Sequence, residues 1–306
     1  MSQVPRRSLV GRVDLFTLKL FVAVVDEHSI AAAAARENIA TSAASKRLSD
    51  LEHAVGLQLV VRHHKGIEAT PAGRAVRQHA LTILRNLSLL EDEMQEYGSG
   101  LRGHVRVFAN ESTIIGYLPE ELRQFLEAYP HVEVELEAKV STSIVQAVRD
   151  GEADLGLFSG DIVTEGLAVH PYHGDCLVVL APAGHALAHC QSVSALELLD
   201  SQLIEQERGS SIDLILTRMA AEHGRSARGR IRVSSFHAMG RMVEAGLGLG
   251  VVPERVARHI AVLTDVRILS LDAPWARRQH RICARDDGSL SKAAQLLRRH
   301  LAGTGR

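Results

Sequence analysis

The sequence predicts an α plus α/β protein: an N-terminal helix-turn-helix domain with a two-stranded wing, a long linker helix, and an α/β domain of two subdomains closing around a cleft. Three observations carry this expectation. Between Leu15 and Val55, apolar residues recur at three- and four-residue spacing in short segments, and the connector Ile39-Ala40 leaves room only for a sharp corner. After Thr70-Pro71 one apolar stripe continues without a break to Met94. From Gly103 onward, extended apolar runs alternate with helical ones, the pattern of a sheet covered by helices.

Taken in order, Leu15, Leu18, Phe21, Val22 and Val25 form the inner stripe of a first helix. Ser29 caps an alanine-rich second helix reaching Arg36. A third follows, which Thr41 or Ser42 is expected to cap, because a hydroxyl there can accept the free N–H groups of the first turn. Ala44, Leu48, Leu51 and Val55 make its buried stripe, leaving Ser42, Ser45, Lys46, Ser49 and Asp50 outside and Arg47 near the edge. An outer face that is small, hydroxylic and basic suits entry into a DNA major groove. Leu57 to Val61 and Ile67 to Thr70 are extended, and Arg62-His63-His64-Lys65-Gly66 turns between them, which predicts a wing with a basic tip lying along phosphates or in a minor groove. Thr70 caps the next helix and Pro71 takes its first position. Running to about Tyr97, it spans roughly 40 Å. Its apolar stripe, Val76, Ala80, Ile83, Leu84, Leu87, Leu90 and Met94, calls for a partner, most simply the same helix of a second copy. Gly98-Ser99-Gly100 and Gly103 form the expected hinge.

In the remainder, strands are predicted at His104 to Ala109, Val132 to Ala138, Ala153 to Phe158, Cys176 to Ala181, Gln202 to Glu205, Arg230 to Ser234, Gly248 to Pro253, Val266 to Leu271 and His280 to Ala284. The intervening helices, including a single one over Ile114 to Tyr129, and a closing helix over Leu290 to Leu301 imply right-handed crossovers and a mainly parallel sheet. Two such halves, with the last segment returning to the first, describe a hinged cleft.

Bulk composition narrows the class. The formal net charge of the 306 residues is -1, yet between Met1 and Leu90 twelve lysines and arginines face seven acids, a local excess suited to a polyanion. Cys176, Cys190 and Cys283 are too few and too scattered for a disulfide framework, are expected in the core, and fit the reducing cytoplasm. Asp14 and Lys19 interrupt the apolar run after Arg6-Arg7, so an amphipathic helix is expected there and not an export signal. No run approaches the roughly 20 apolar residues of a membrane span. His170 with His173, or His185, His189 and Cys190, supply too few ligands for a metal site. Gly246-Leu247-Gly248-Leu249-Gly250 precedes an apolar strand where a dinucleotide fingerprint would follow one. No Gly-x-Ser-x-Gly or His-Glu-x-x-His occurs. No cofactor and no enzymatic activity are expected.

These residues resemble the LysR-type transcriptional regulators over nearly the whole chain. The specific part is Leu18 to Val25 with Ser29, Ser45-Lys46-Arg47-Leu48 with Leu51-Glu52 and Gly56, then Leu59, Arg62 and Ala69-Thr70-Pro71-Ala72-Gly73. Looser matches are Leu118-Pro119 with Tyr129-Pro130, Gly151-Glu152-Ala153-Asp154-Leu155-Gly156, and Val243 to Pro253. The resemblance implies a winged helix-turn-helix with a dimerising linker helix, a periplasmic-binding-protein-like effector domain, and usually a homotetramer. The expected limits are 12–70 for the DNA-binding domain, 71–100 for the linker and 101–303 for the effector domain, with subdomain I about 101–163 and 267–303 and subdomain II about 164–266. Many relatives start the recognition helix with a Ser-Gln-Pro-Ala type of sequence. Here it is Ala40-Thr41-Ser42-Ala43, without the base-reading amide.

The expected DNA contacts are Thr41, Ser42, Ser45, Lys46 and Arg47, with Arg62, His63, His64 and Lys65 on the wing. In the cleft, Asn110, Ser112, Thr113, Ser141, Ser143, Ser210 and Ser211 stand where strands end and helices begin, and Phe236 is a candidate wall. Helix N-termini present unpaired N–H groups and a positive dipole end, so a carboxylate or another small anion is the expected effector. The function expected is therefore a cytoplasmic regulator whose binding to double-stranded promoter DNA responds to that effector. The rival is a cytosolic solute-binding protein or enzyme of the α/β cleft class whose N-terminal helices serve only assembly. The local charge and the winged-helix spacing weigh against it.

Overall fold

The computed structural model describes residues 9–64, 66–99, 102–225 and 229–304. It comprises two compact units, Met1–Met94 and Gln95–Arg306. In the first, α1 (Leu15–Asp26) is capped by Asp14, whose carboxylate accepts the Thr17 N–H at 2.6 Å, and α2 (Ile30–Arg36) is capped by Ser29. The third helix, α3 (Thr41–Val55), departs from expectation: its N-cap is Ala40, and no side chain caps it. Thr41 and Ser42 lie inside the first turn, past the one position from which a side chain can reach back to N2 or N3. Leu20, Phe21, Val24, Ala33, Ala34, Ala44, Leu48 and Leu51 form the core of this unit, the alanines allowing three helices to approach closely.

The wing is an antiparallel pair, β1 (Val60–His63) and β2 (Gly66–Ala69), in register from Val60 opposite Ala69 to His63 opposite Gly66. The family-like residues around it act as fastenings. Gly56 ends α3 at φ 76°, a left-handed conformation that suits glycine. The Glu52 carboxylate accepts the N–H groups of Leu59 at 2.7 Å and Val60 at 3.2 Å. Thr70 caps α4 (Pro71–Ser99) by accepting the Gly73 N–H at 3.0 Å, and a Cβ on Gly73 would sit 1.9 Å from the Leu59 carbonyl oxygen. Along α4, Ile83, Leu87, Leu90 and Met94 are exposed.

The second unit opens with β3 (Gly103–Ala109), α5 (Glu111–Gly116), α6 (Leu118–Ala128), β4 (Val132–Ala138), α7 (Ser141–Asp150) and β5 (Leu155–Ser159), giving a parallel β4-β3-β5 sheet. The single helix expected over 114–129 is two, because Pro119 falls at the second position of α6 and its ring would clash with a continuous helix. A long strand, β6 (Ala168–Pro182), then crosses to the second lobe, pairing with β12 (Arg277–Ala284) over its first part and with β10 (Leu249–Pro253) and β11 (Val266–Asp272) over its second. That lobe contains, in chain order, β7 (Ser192–Ser194), α8 (Ala195–Asp200), β8 (Leu203–Gln206), α9 (Ser211–Glu222), β9 (Gly229–Val233), α10 (Phe236–Glu244), β10, α11 (Glu254–Leu263) and β11. The chain returns through β12 and ends in α12 (Lys292–Thr304), which packs on the first lobe.

The sheet is therefore not mainly parallel throughout. Pairing is parallel within each lobe and antiparallel at the crossing strands, since one strand leaves the first lobe and the other re-enters it. The expected subdomain limits shift accordingly. The first crossing lies within β6, and β11 belongs to the second sheet, so the return falls after Asp272 and not at 267. Of the cysteines, Cys283 is buried, Cys176 is partly buried, and Cys190 is exposed, not in the core; all are free thiols. Among the described residues no helix is long and apolar enough to cross a membrane.

Candidate functional site

In the first unit α3 turns Thr41, Ser42 and Lys46 to solvent, with Ser45 half-buried beside them. With Ala40 as N-cap, the first-turn N–H groups end without a side-chain acceptor on a hydroxyl-lined, exposed surface. Lys46 Nζ meets Asp50 at 2.9 Å, a surface pair of the kind that water and salt weaken readily. Arg47, half-buried at the edge of that face, is engaged within the domain. Its Nη1 donates to Asp14 Oδ2 and Thr17 Oγ1, both at 2.8 Å, and its guanidinium lies 5.0 Å from the centre of the Phe16 ring. The same Arg47 contact, together with Thr17, holds the Asp14 carboxyl low, at about 2. Arg47 thus ties α3 to the start of α1, while Lys46 is held only by its exposed neighbour Asp50. On the wing, Arg62, His63 and His64 are exposed; Lys65 lies outside the described residues.

The cleft of the second unit is a cavity of about 230 Å³ between the lobes. Asn110, Ser112 and Ser141 line it from the first lobe, Ser210 and Ser211 from the second. Three other candidates lie elsewhere. Thr113 is fully buried, with its N–H and Oγ1 bound to Asn110, and Ser143 is exposed outside the lining. Phe236, the first residue of α10, buries its ring in the second lobe's core, because the inner face of that helix packs on the sheet; only its N–H turns toward the cleft.

Sequence reasoning missed Glu111, Lys139, Gln206, Glu207, Ser234 and Ser235, which also line the cavity. The signal that singled out Ser210-Ser211, a hydroxyl pair between strand and helix, would equally have found Ser234-Ser235. Nothing local marks Glu111. Its carboxylate reaches across the cleft to accept the Phe236 N–H at 3.0 and 3.1 Å, and burial raises its pKa despite that bond. Thr142 Oγ1 donates across to the Gly209 carbonyl at 3.4 Å. On the first lobe α7 starts after Val140 without a side-chain cap, and Lys139, Val140 and Ser141 line the cavity there. Lys139 Nζ itself lies 3.0 Å from Glu137.

Behind the cleft a chain of buried polar groups runs to the crossing strands. Asn110 Nδ2 donates to Ser159 Oγ at 2.9 Å, Ser159 Oγ bonds His280 Nδ1, and His280 Nε2 lies 3.0 Å from Asp175 Oδ2. Asp175 on β6 stands directly opposite Arg278 on β12, whose Nε donates to Oδ1 at 2.9 Å and whose Nη2 bonds Oδ2. Burial acts to raise the Asp175 pKa, but His280 and Arg278 more than offset it and hold the carboxyl at about 2. Burial holds His280 below its ordinary value, so the imidazole is neutral. With Nε2–H facing Asp175, Nδ1 is left to accept from Ser159. The serine, histidine and aspartate resemble a hydrolytic triad in composition, but Ser159 and His280 are fully buried, and no substrate in solvent can reach that hydroxyl. Among the described residues, no group of three or more histidines, cysteines and acids is arranged to hold a metal ion.

Comparison with known proteins adds the following. Residues 15–74 match the family described as "Bacterial regulatory helix-turn-helix protein, lysR family", and residues 98–306 match "LysR substrate binding domain". The RuBisCO operon transcriptional regulator of Allochromatium vinosum is 27% identical over 288 residues, which cover 94% of each chain. The crystal structure of CbnR, a LysR family transcriptional regulator, aligns with TM-score 0.69 at 20% identity, over 96% of this chain and 100% of that one. Full-length CbnR complexed with its target DNA aligns with TM-score 0.67 at 20% identity, over 95% and 100%. At such identities the structural likeness concerns the fold.

Proposed function

This chain belongs to the LysR family of transcriptional regulators, DNA-binding proteins with an effector-binding domain, and from that premise we propose which residues carry the two activities. The start of α3 enters a major groove, where Thr41, Ser42 and Ser45 meet base edges and phosphates and Lys46 neutralises a phosphate. Arg47 positions α3 against α1 and contributes less to the DNA. Arg62, His63, His64 and Lys65 follow the neighbouring backbone. The observation that carries this reading is the uncapped N-terminus of α3, whose N–H groups are free to bind phosphate oxygens among exposed hydroxyls. CbnR, with the same fold, has been solved with its target DNA.

The effector is a small molecule held between the lobes. Its anionic group lies at the first turn of α7 near Lys139, and a hydroxyl or amine at its other end faces Glu111, which would repel a second negative charge. With Ser210 and Ser211 of the second lobe lining the same cavity, the ligand bridges both lobes, favours the closed arrangement and shifts a pre-existing equilibrium. The exposed residues Ile83, Leu87, Leu90 and Met94 of α4 pair with those of a second copy, and dimers join as a tetramer on the promoter. The protein works in the cytoplasm by binding and release, without turnover. Capturing genomic fragments on the purified chain and sequencing them tests the proposal. Enrichment of discrete promoter sites with two related half-sites is expected; uniform recovery across the genome would overturn it.

A further inference from the structure

The second unit holds another, larger cavity, of about 570 Å³, lined by α9 on one side and the segment 275–281 on the other. It shares Ser211 with the cleft but has the opposite electrostatic character. The cleft is faced by Glu111, Glu207 and Lys139, whereas four arginines line the larger cavity, Arg218, Arg277, Arg278 and Arg281, against one acid, Asp161. Arg278 is committed to Asp175 and to Ser211 Oγ at 2.9 Å. The other three have weaker ties. Arg218 and Arg281 share exposed Asp161 at 3.6 and 3.9 Å, and exposed Arg277 meets no ion-pair partner among the described residues. The remaining wall is apolar, with Leu214, Ile215 and the indole of Trp275, which is packed on the second lobe's core.

We propose that this cavity is a second ligand site, for an organic anion with a flat apolar body. The body lies against Trp275 and Ile215, and its carboxylate or phosphate meets Arg277 and Arg281. The chemistry follows from the parts. Guanidinium groups bind carboxylates and phosphates through paired N–H donors, and an excess of positive charge over a low-dielectric wall concentrates anions there. An indole favours flat partners. The volume suits one small ligand. The site differs from the effector cleft in every lining residue but Ser211 and in its excess of positive charge.

Trp275 is the sole tryptophan of the chain, so tryptophan fluorescence reports from this cavity. The full-length protein is titrated with phenyl phosphate, with inorganic phosphate and phenol as charge-only and ring-only controls. Expected is a saturable emission change with phenyl phosphate at least tenfold tighter than with either control. It weakens at least tenfold in R277A/R281A, whose substituted side chains are exposed or half-exposed, and stays unchanged in the cleft variant S141A. Absence of a saturable change, an equal response to phenol, or an equal response to inorganic phosphate overturns the proposal. So does binding that survives R277A/R281A but is lost in S141A, which would assign the signal to the cleft. Far-UV circular dichroism of each variant establishes that it is folded, and an R277K/R281K variant that restores part of the affinity supports the charge assignment.

Discussion

Replacing Asp175 by Asn tests whether the crossing strands are held by a buried charge pair. Asp175 and Arg278 are cross-strand neighbours with side chains 5% and 3% exposed, so removing the carboxylate leaves the guanidinium in the interior facing only an amide and Ser211 Oγ. Breaking such a pair from one side costs about 3–5 kcal/mol. For a unit of this size each kcal/mol moves the melting temperature by roughly 2–4 °C, so a fall of roughly 6–20 °C is expected in a thermal melt of the full chain. Because the folded-state pKa of Asp175 is depressed to about 2, the carboxylate's contribution is fully present above its ordinary range near pH 4 and is lost as pH falls through the folded value. The gap between Asp175→Asn and wild type should therefore narrow from about pH 4 to pH 2. Adding Arg278→Met to Asp175→Asn removes the stranded charge and should recover part of the loss. A single variant melting within about 2 °C of wild type at pH 7 would refute the reasoning.

Two further substitutions have opposite expected signs. Gly73→Ala puts a methyl 1.9 Å from the Leu59 carbonyl oxygen, so denaturant melts should show a loss on the order of 1–3 kcal/mol from overpacking, where the same change in an open helix gains about 1 kcal/mol. A gain would show that the close approach between α4 and Leu59 is absent. Glu111→Gln keeps an acceptor for the Phe236 N–H and removes a half-buried charge. Since burial raises the Glu111 pKa above its unfolded value, ionisation weakens the folded state at neutral pH and has little effect once both states are protonated. The variant should melt higher than wild type at pH 7, with the gain shrinking toward about pH 4. A lower melting temperature at pH 7 would contradict this.

Much of the architecture was legible because it rests on local signals. Helical spacing, Thr70-Pro71 and Gly56 set the elements of the first unit, and alternating strands and helices set the second. What escaped depends on partners distant in sequence. The tie of Arg47 to Asp14, 33 residues away, could not be read from the spacing of α3. The alternation of Val266–Asp272 identifies a strand but not which lobe's sheet it joins. α11 follows Pro253 directly, since the proline stands at its N-cap position. In the cleft, hydroxyl pairs at strand ends were readable one by one. Glu111 was not, because its role arises from the α10 terminus lying across the cavity. The arginine-lined cavity was invisible for the same reason, its walls, α9 and the segment 275–281, lying far apart along the chain.

The most direct test of α3 as the DNA-reading element is a salt titration by fluorescence anisotropy, using a promoter fragment recovered by genomic capture. Lys46 and Arg47 are adjacent, yet Lys46 is exposed and Arg47 is tied to Asp14, Thr17 and Phe16. Lys46→Ala should weaken binding and lower the slope of log affinity against log salt by about 0.9, the loss of one phosphate contact. Arg47→Ala should change that slope little and lower the melting temperature of the first unit instead. Wild-type affinity and slope in Lys46→Ala would contradict the placement of α3 on DNA.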